Sequence, residues 1–80
     1  MNTVNELLTQ SRRVAYETAC LADNMWSDEL TRLYGNKAGD ARYDQRGFAT
    51  PTLKALRDIK RQADKTWHAI AALADNQIAA

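Results

Sequence analysis

Cysteine occurs once in this chain, as Cys20, and histidine once, as His68, so two chemistries are closed at the outset. A lone cysteine has no partner for an internal disulfide, and one cysteine with one histidine falls short of the four ligands of a structural zinc site. No metal and no cofactor are expected, and a reducing cytoplasm is the setting such a chain suits. Glycine is also scarce. Gly35, Gly39 and Gly47 match neither the dinucleotide-binding nor the phosphate-loop spacing. Long apolar runs are missing as well. No stretch approaches the roughly 20 residues of a membrane span. The opening Met1-Asn2-Thr3-Val4-Asn5-Glu6 carries no basic patch or apolar run of a secretory leader, so no membrane association is expected.

Net charge is only +1, which favours no partner by itself, but the charge is unevenly laid out. Residues 1–31 carry five acidic and two basic side chains, residues 32–65 nine basic and four acidic, and Asp75 adds one more acid. Such a division suits two helices lying against each other, or a basic surface offered to something anionic. Eighty residues make one domain, and a chain so short buries a modest share of its surface, which makes completion by a partner an early expectation.

What the chain does have is helical period. Thr3 as N-cap with Glu6 three residues later reads as a capping box. Stepping about 100° per residue, Val4, Leu7, Leu8, Val14, Ala15, Leu21, Ala22 and Met25 fall in one arc, with Ser11 and Thr18 among the small residues along its centre. That stripe loses phase after Met25, where Glu29 enters it and Leu30 and Tyr34 swing away. Asn24 or Ser27 could cap a new helix with Asp28 and Glu29 in its first turn. The expectation is a break near Asn24 and a short helix over 28–34 ended by Gly35, with one unbroken helix to Tyr34 as the alternative. Residues 35–50 hold all three glycines and no sustained period, and read as a loop. Thr50 as N-cap and Pro51 at the first helical position open the last helix. There Leu53, Leu56, Ile59, Ala63, Trp67, Ile70, Ala74 and Ile78 hold one stripe, with Lys54, Arg57, Arg61, Lys65 and His68 across from it.

The tetrapeptide Leu-Ala-Asp-Asn occurs twice, at 21–24 and 73–76. The same offset also pairs Gln10 with Gln62, Glu6 with Asp58, Leu7 with Ile59, Val4 with Leu56 and Arg13 with Lys65, a weak resemblance that reads as convergence of alanine-rich amphipathic helices, with internal duplication as the alternative. Catalysis finds little to work with. His68 lies on a polar face one turn from Asp64, an ordinary surface spacing, and no histidine lies near Cys20 in sequence to activate it. An enzyme is not expected.

The fold class expected is all-α: one helical domain over 1–80, an antiparallel hairpin of helices at about 4–24 and 51–76, optionally with the short third helix. It would be completed as a homodimeric four-helix bundle, or as a monomeric three-helix domain if the short helix folds back. The function expected is that of a non-catalytic protein-binding module, an adaptor or small inhibitor or regulator, engaging a larger protein through the 35–50 loop and the adjoining helix end. Size and economy also suit a phage or mobile-element accessory protein acting on a host protein. Its site would be Trp26, Leu30, Tyr34, Arg42, Tyr43, Arg46 and Phe48, since Trp, Tyr and Arg are the usual interface anchors. The alternative is a nucleic-acid-binding helical dimer tracking phosphates with Lys54, Arg57, Arg61 and Lys65.

Overall fold

The computed structural model describes residues 3–79, with side chains from 3 to 76. The described residues are all-α and form no strand. α1 spans Thr3–Tyr34, α2 is the single turn Ala38–Ala41, and α3 spans Pro51–Ala79. Short 3-10 turns at Gly35–Lys37 and Gln45–Phe48 flank α2.

α1 is continuous through Asn24, so the break expected there and the separate helix over 28–34 do not form. No glycine or proline interrupts these 32 residues, and the hydroxyls of Thr9, Thr18 and Thr31 are satisfied within the helix by the carbonyls one turn back, at 2.8, 2.9 and 3.0 Å, and start no new turn. The deeper reason is the choice of stripe. The buried residues of α1 are Ala15, Ala19, Ala22, Trp26 and Leu30, at successive spacings of four, three, four and four. That line keeps phase through position 25 and shares only Ala15 and Ala22 with the stripe read from the sequence, whose Val4, Leu7, Val14, Leu21 and Met25 are all exposed. Trp26 and Leu30 therefore continue the core line and need no break to be buried. Thr3, the first described residue, is already helical, so the start of α1 and the expected capping there lie outside the described residues.

Gly35 ends α1 with φ of 57°, the left-handed conformation that glycine adopts at helix ends without a Cβ penalty. The 35–50 segment is largely helical turns, each closed by local backbone bonds. Tyr43 donates to the Asp40 carbonyl at 3.1 Å and Gly47 to the Asp44 carbonyl at 3.1 Å. The Asp44 carboxylate caps the second 3-10 turn, accepting from the Arg46 amide at 2.8 Å. α3 begins as its opening residues predict. The Leu53 amide donates to the Thr50 hydroxyl at 3.0 Å, directly ahead of Pro51.

α1 and α3 run antiparallel. Arg12 pairs with Asp75 at 3.3 Å, and the rings of Tyr16 and Trp67 meet edge-on at 5.1 Å, while nearer the connection Trp26 and Leu30 pack with Leu53. Large buried side chains collect at this closed end, where Trp26, Leu30, Ala41 and Leu53 form the core cluster and Tyr34, Ala38 and Leu56 close around it. Along the rest of the hairpin the buried positions among the described residues are alanines: 15, 19, 22 and 74. The molecule is a rod of 50 × 20 × 16 Å.

Candidate functional site

The closed end of the hairpin is organised around Trp26. Its indole Nε1 donates to the Gly47 carbonyl at 2.9 Å in a buried bond, and the Arg42 guanidinium lies 4.7 Å from the ring centroid. Gly47 has no room for a side chain: a methyl there would stand 2.9 Å from the Ala41 carbonyl oxygen and 3.1 Å from the Trp26 ring. A glycine lets the connecting segment lie flat on the indole. Arg42 is fixed from its other side by Asp23 at 2.6 Å, tying the connection back to α1.

Two further arginine–aromatic pairs surround this centre. Arg46 lies 5.8 Å from the Tyr34 ring and is clamped by Asp44 at 2.7 Å, while the Tyr34 hydroxyl donates to the Arg46 carbonyl at 3.3 Å. Arg57 of α3 covers the Phe48 ring at 4.4 Å. The Arg46 guanidinium holds the Asp44 carboxyl below its ordinary range, chiefly through the side-chain hydrogen bond. Arg42, Tyr43, Asp44, Gln45, Phe48 and Arg57 line a shallow concavity of about 310 Å³.

The seven residues expected to meet a partner thus separate. Trp26 and Leu30 are buried core and present no surface, because they lie on the continuous inner line of α1. Tyr34, Arg42 and Arg46 are half-buried and committed to contacts within the tip. Tyr43 is 87% exposed and Phe48 41%, and these two are the outward aromatics of the connection.

Of the basic stripe, Lys54, Arg61 and Lys65 are exposed and Arg57 is half-buried on Phe48. Lys60, within the same run, is paired to Asp64 at 2.6 Å. His68, one turn further on, is exposed and lies beside the Trp67 ring. Cys20 is exposed near Tyr16, whose phenol it pushes above the ordinary range by hydrogen bonding, so the tyrosine holds its proton more firmly. Among the described residues, no group of three or more His, Cys, Asp or Glu could hold a metal ion, and no helix is long and apolar enough to cross a membrane.

One surface was missed in the sequence as a surface. A groove of about 720 Å³ runs along the stem between α1 and α3, floored by Ser11, Ala15 and Ala63 and walled by Val14, Ile59 and Ile70. Its signal was present: Leu7, Val14 and Leu21 are seven residues apart, as are Ile59, Thr66 and Leu73. Comparison with protein families, with curated proteins and with solved structures finds no match to this chain.

Proposed function

We propose that this protein is a non-catalytic binding module, an adaptor or small inhibitor or regulator, whose larger protein partner docks on the tip of the hairpin around Tyr43 and Phe48. The observation that carries this reading is the presentation of Tyr43, 87% exposed on a segment that is otherwise pinned in place. Its own amide is bonded to the Asp40 carbonyl, the next turn is capped by Asp44, and the segment rests on Trp26 through Gly47. A large aromatic held on an ordered support loses little conformational entropy on binding, which is what a hot-spot residue needs. Phe48 and its covering Arg57 extend the same surface and offer apolar area with a cationic rim.

The competing use of the basic face of α3 on nucleic acid has weaker support, since Arg57 is engaged with Phe48, Lys60 with Asp64, and Asp58 lies among the remaining cations. Affinity capture from cells that make the protein distinguishes the two, run with the wild type, Tyr43→Ala and Phe48→Ala. A protein partner retained by the wild type should bind Tyr43→Ala at least about tenfold more weakly, with the helical circular dichroism unchanged. The reading fails if both tip variants capture as well as the wild type. It fails equally if the captured material is nucleic acid that is released steeply with salt and lost when Lys54, Arg61 and Lys65 become Ala.

A further inference from the structure

The stem of the hairpin, away from the tip, has an apolar face that its own fold leaves uncovered. Val14 and Ile59, 56% and 53% exposed, line the groove from opposite helices, and Leu7, Leu21 and Leu73 are exposed outside its lining. On α1 these residues recur every seven positions, and on α3 Ile59 and Leu73 stand fourteen apart with Thr66 midway, while Ser11, Thr18 and Ala63 are the intervening small positions. A spacing of seven keeps one seam in register along a partner helix, large side chains entering the gaps left by small ones. We propose that this face is covered by a second copy of the same chain, giving a four-helix bundle in which α1 lies against the partner's α3 and both tips share one end.

Three observations select a second copy. The first is extent: a single foreign helix could fill the groove over 10–18 and 59–70, but Leu7, Leu21 and Leu73 lie outside that lining. A partner as long and as wide as the hairpin covers all of them, and another hairpin has those dimensions. The second is area. The accessible surface is 5779 Å², whereas a compact 9.0 kDa chain has about 4,900 Å². The surplus, about 900 Å², matches the roughly 800 Å² per partner of a stable interface. The radius of gyration, 15.9 Å against about 12 Å for a compact domain of this length, shows the same surplus as elongation.

The third is charge, and it sets the arrangement. α1 carries five acidic and three basic side chains, and α3 five basic and three acidic. A two-fold axis along the rod sets each α1 against the partner's α3, opposite net charges together. The other face-to-face packing, with the axis across the rod, sets α1 against α1 and α3 against α3, like charges together and tips at opposite ends.

Light scattering and sedimentation of the full chain test the pairing. The expected mass is twice the 9.0 kDa chain, with a thermal midpoint that rises with protein concentration. Val14→Glu and Ile59→Glu alter side chains already exposed in the single chain, so each should return the mass to one chain with helicity retained. A single-chain mass for the wild type with a concentration-independent midpoint overturns the proposal, whatever the variants do, as does a larger assembly. The arrangement is read separately from spin labels on Gln45→Cys in a Cys20→Ser background. A separation well below the 50 Å rod length supports tips at one end, and a separation of that length or more refutes it.

Discussion

Trp26→Phe isolates the contact on which the tip is built. The substitution keeps an aromatic ring in the core and removes the indole N–H that donates to the Gly47 carbonyl at 2.9 Å. A buried carbonyl left without its donor costs about 1–3 kcal/mol. The ring area lost from the core adds about 1 kcal/mol, and weakening of the Arg42 stacking about 0.5 kcal/mol. The total, about 3 kcal/mol, is a large part of the roughly 4–12 kcal/mol available to a domain of this length. Urea denaturation followed by far-ultraviolet circular dichroism, at one fixed protein concentration, should show the midpoint falling by roughly 2 M with little change in slope. Trp67→Phe is the internal control. Trp67 is half-buried, with its ring edge against Tyr16 at 5.1 Å, and its loss should cost about 1 kcal/mol or less. A Trp26→Phe change below about 0.5 kcal/mol, or one no larger than that of Trp67→Phe, would refute the assignment of Trp26 as the anchor of the tip.

Two further outcomes follow from the same geometry. Thr50→Ala removes the hydroxyl that accepts from the Leu53 amide and should destabilise by about 1 kcal/mol in the same assay, with Thr50→Ser recovering most of the loss. The Asp44 carboxyl is held below its ordinary range by Arg46, so its contribution is fully present above its unfolded-state value and is lost as pH falls through the folded one. The urea midpoint should therefore be flat from pH 8 to about pH 5 and decline below about pH 4, less steeply in Asp44→Asn. An acid decline of the same steepness in both proteins would show that the Asp44–Arg46 pair is not part of it.

The all-α class was legible because it rests on period and on local chemistry that tertiary context did not override. Thr50 and Pro51 mark the start of α3, Gly35 marks the end of α1, and the structure uses them so. The phase of α1 was not legible, for a physical reason. This helix has two apolar lines, one of alanines leading to Trp26 and Leu30, the other of larger residues at 7, 14, 21 and 25. Weight by hydrophobicity favours the second, yet close approach to α3 favours the first, because alanines let the helices come together. The arc read from the sequence took in both lines, sharing Ala15 and Ala22 with the first but pulled toward the second, which made Trp26 and Leu30 look displaced, hence the expected break near Asn24 and their placement at a partner surface. The 35–50 segment hid its turns for a different reason. Single helical turns have no period to detect, and their stability comes from Asp44, Gly47 and the indole beneath them.

The two ends of the rod are held by different kinds of contact, and this bears on how the proposed activities fit together. At the tip, Trp26, Leu30 and Leu53 bury large side chains against one another, and the connection is fastened to them by hydrogen bonds and arginine stacking. Along the stem, the buried inner positions among the described residues are alanines, each of which removes little apolar area from water, while Leu7, Val14, Leu21, Ile59 and Leu73 face outward. The tip therefore closes within one chain, whereas the stem gains most from being covered. Tyr43 and the groove also lie on separate surfaces, so pairing through the stem leaves the tip free. In the arrangement that charge favours, pairing brings two Tyr43 side chains to one end of the bundle. A partner with two equivalent docking sites would then be held at both, and its release would slow far more than one tip could achieve. Val14→Glu, by returning the protein to a single chain with its tip intact, would remove that gain and leave the one-tip affinity unchanged.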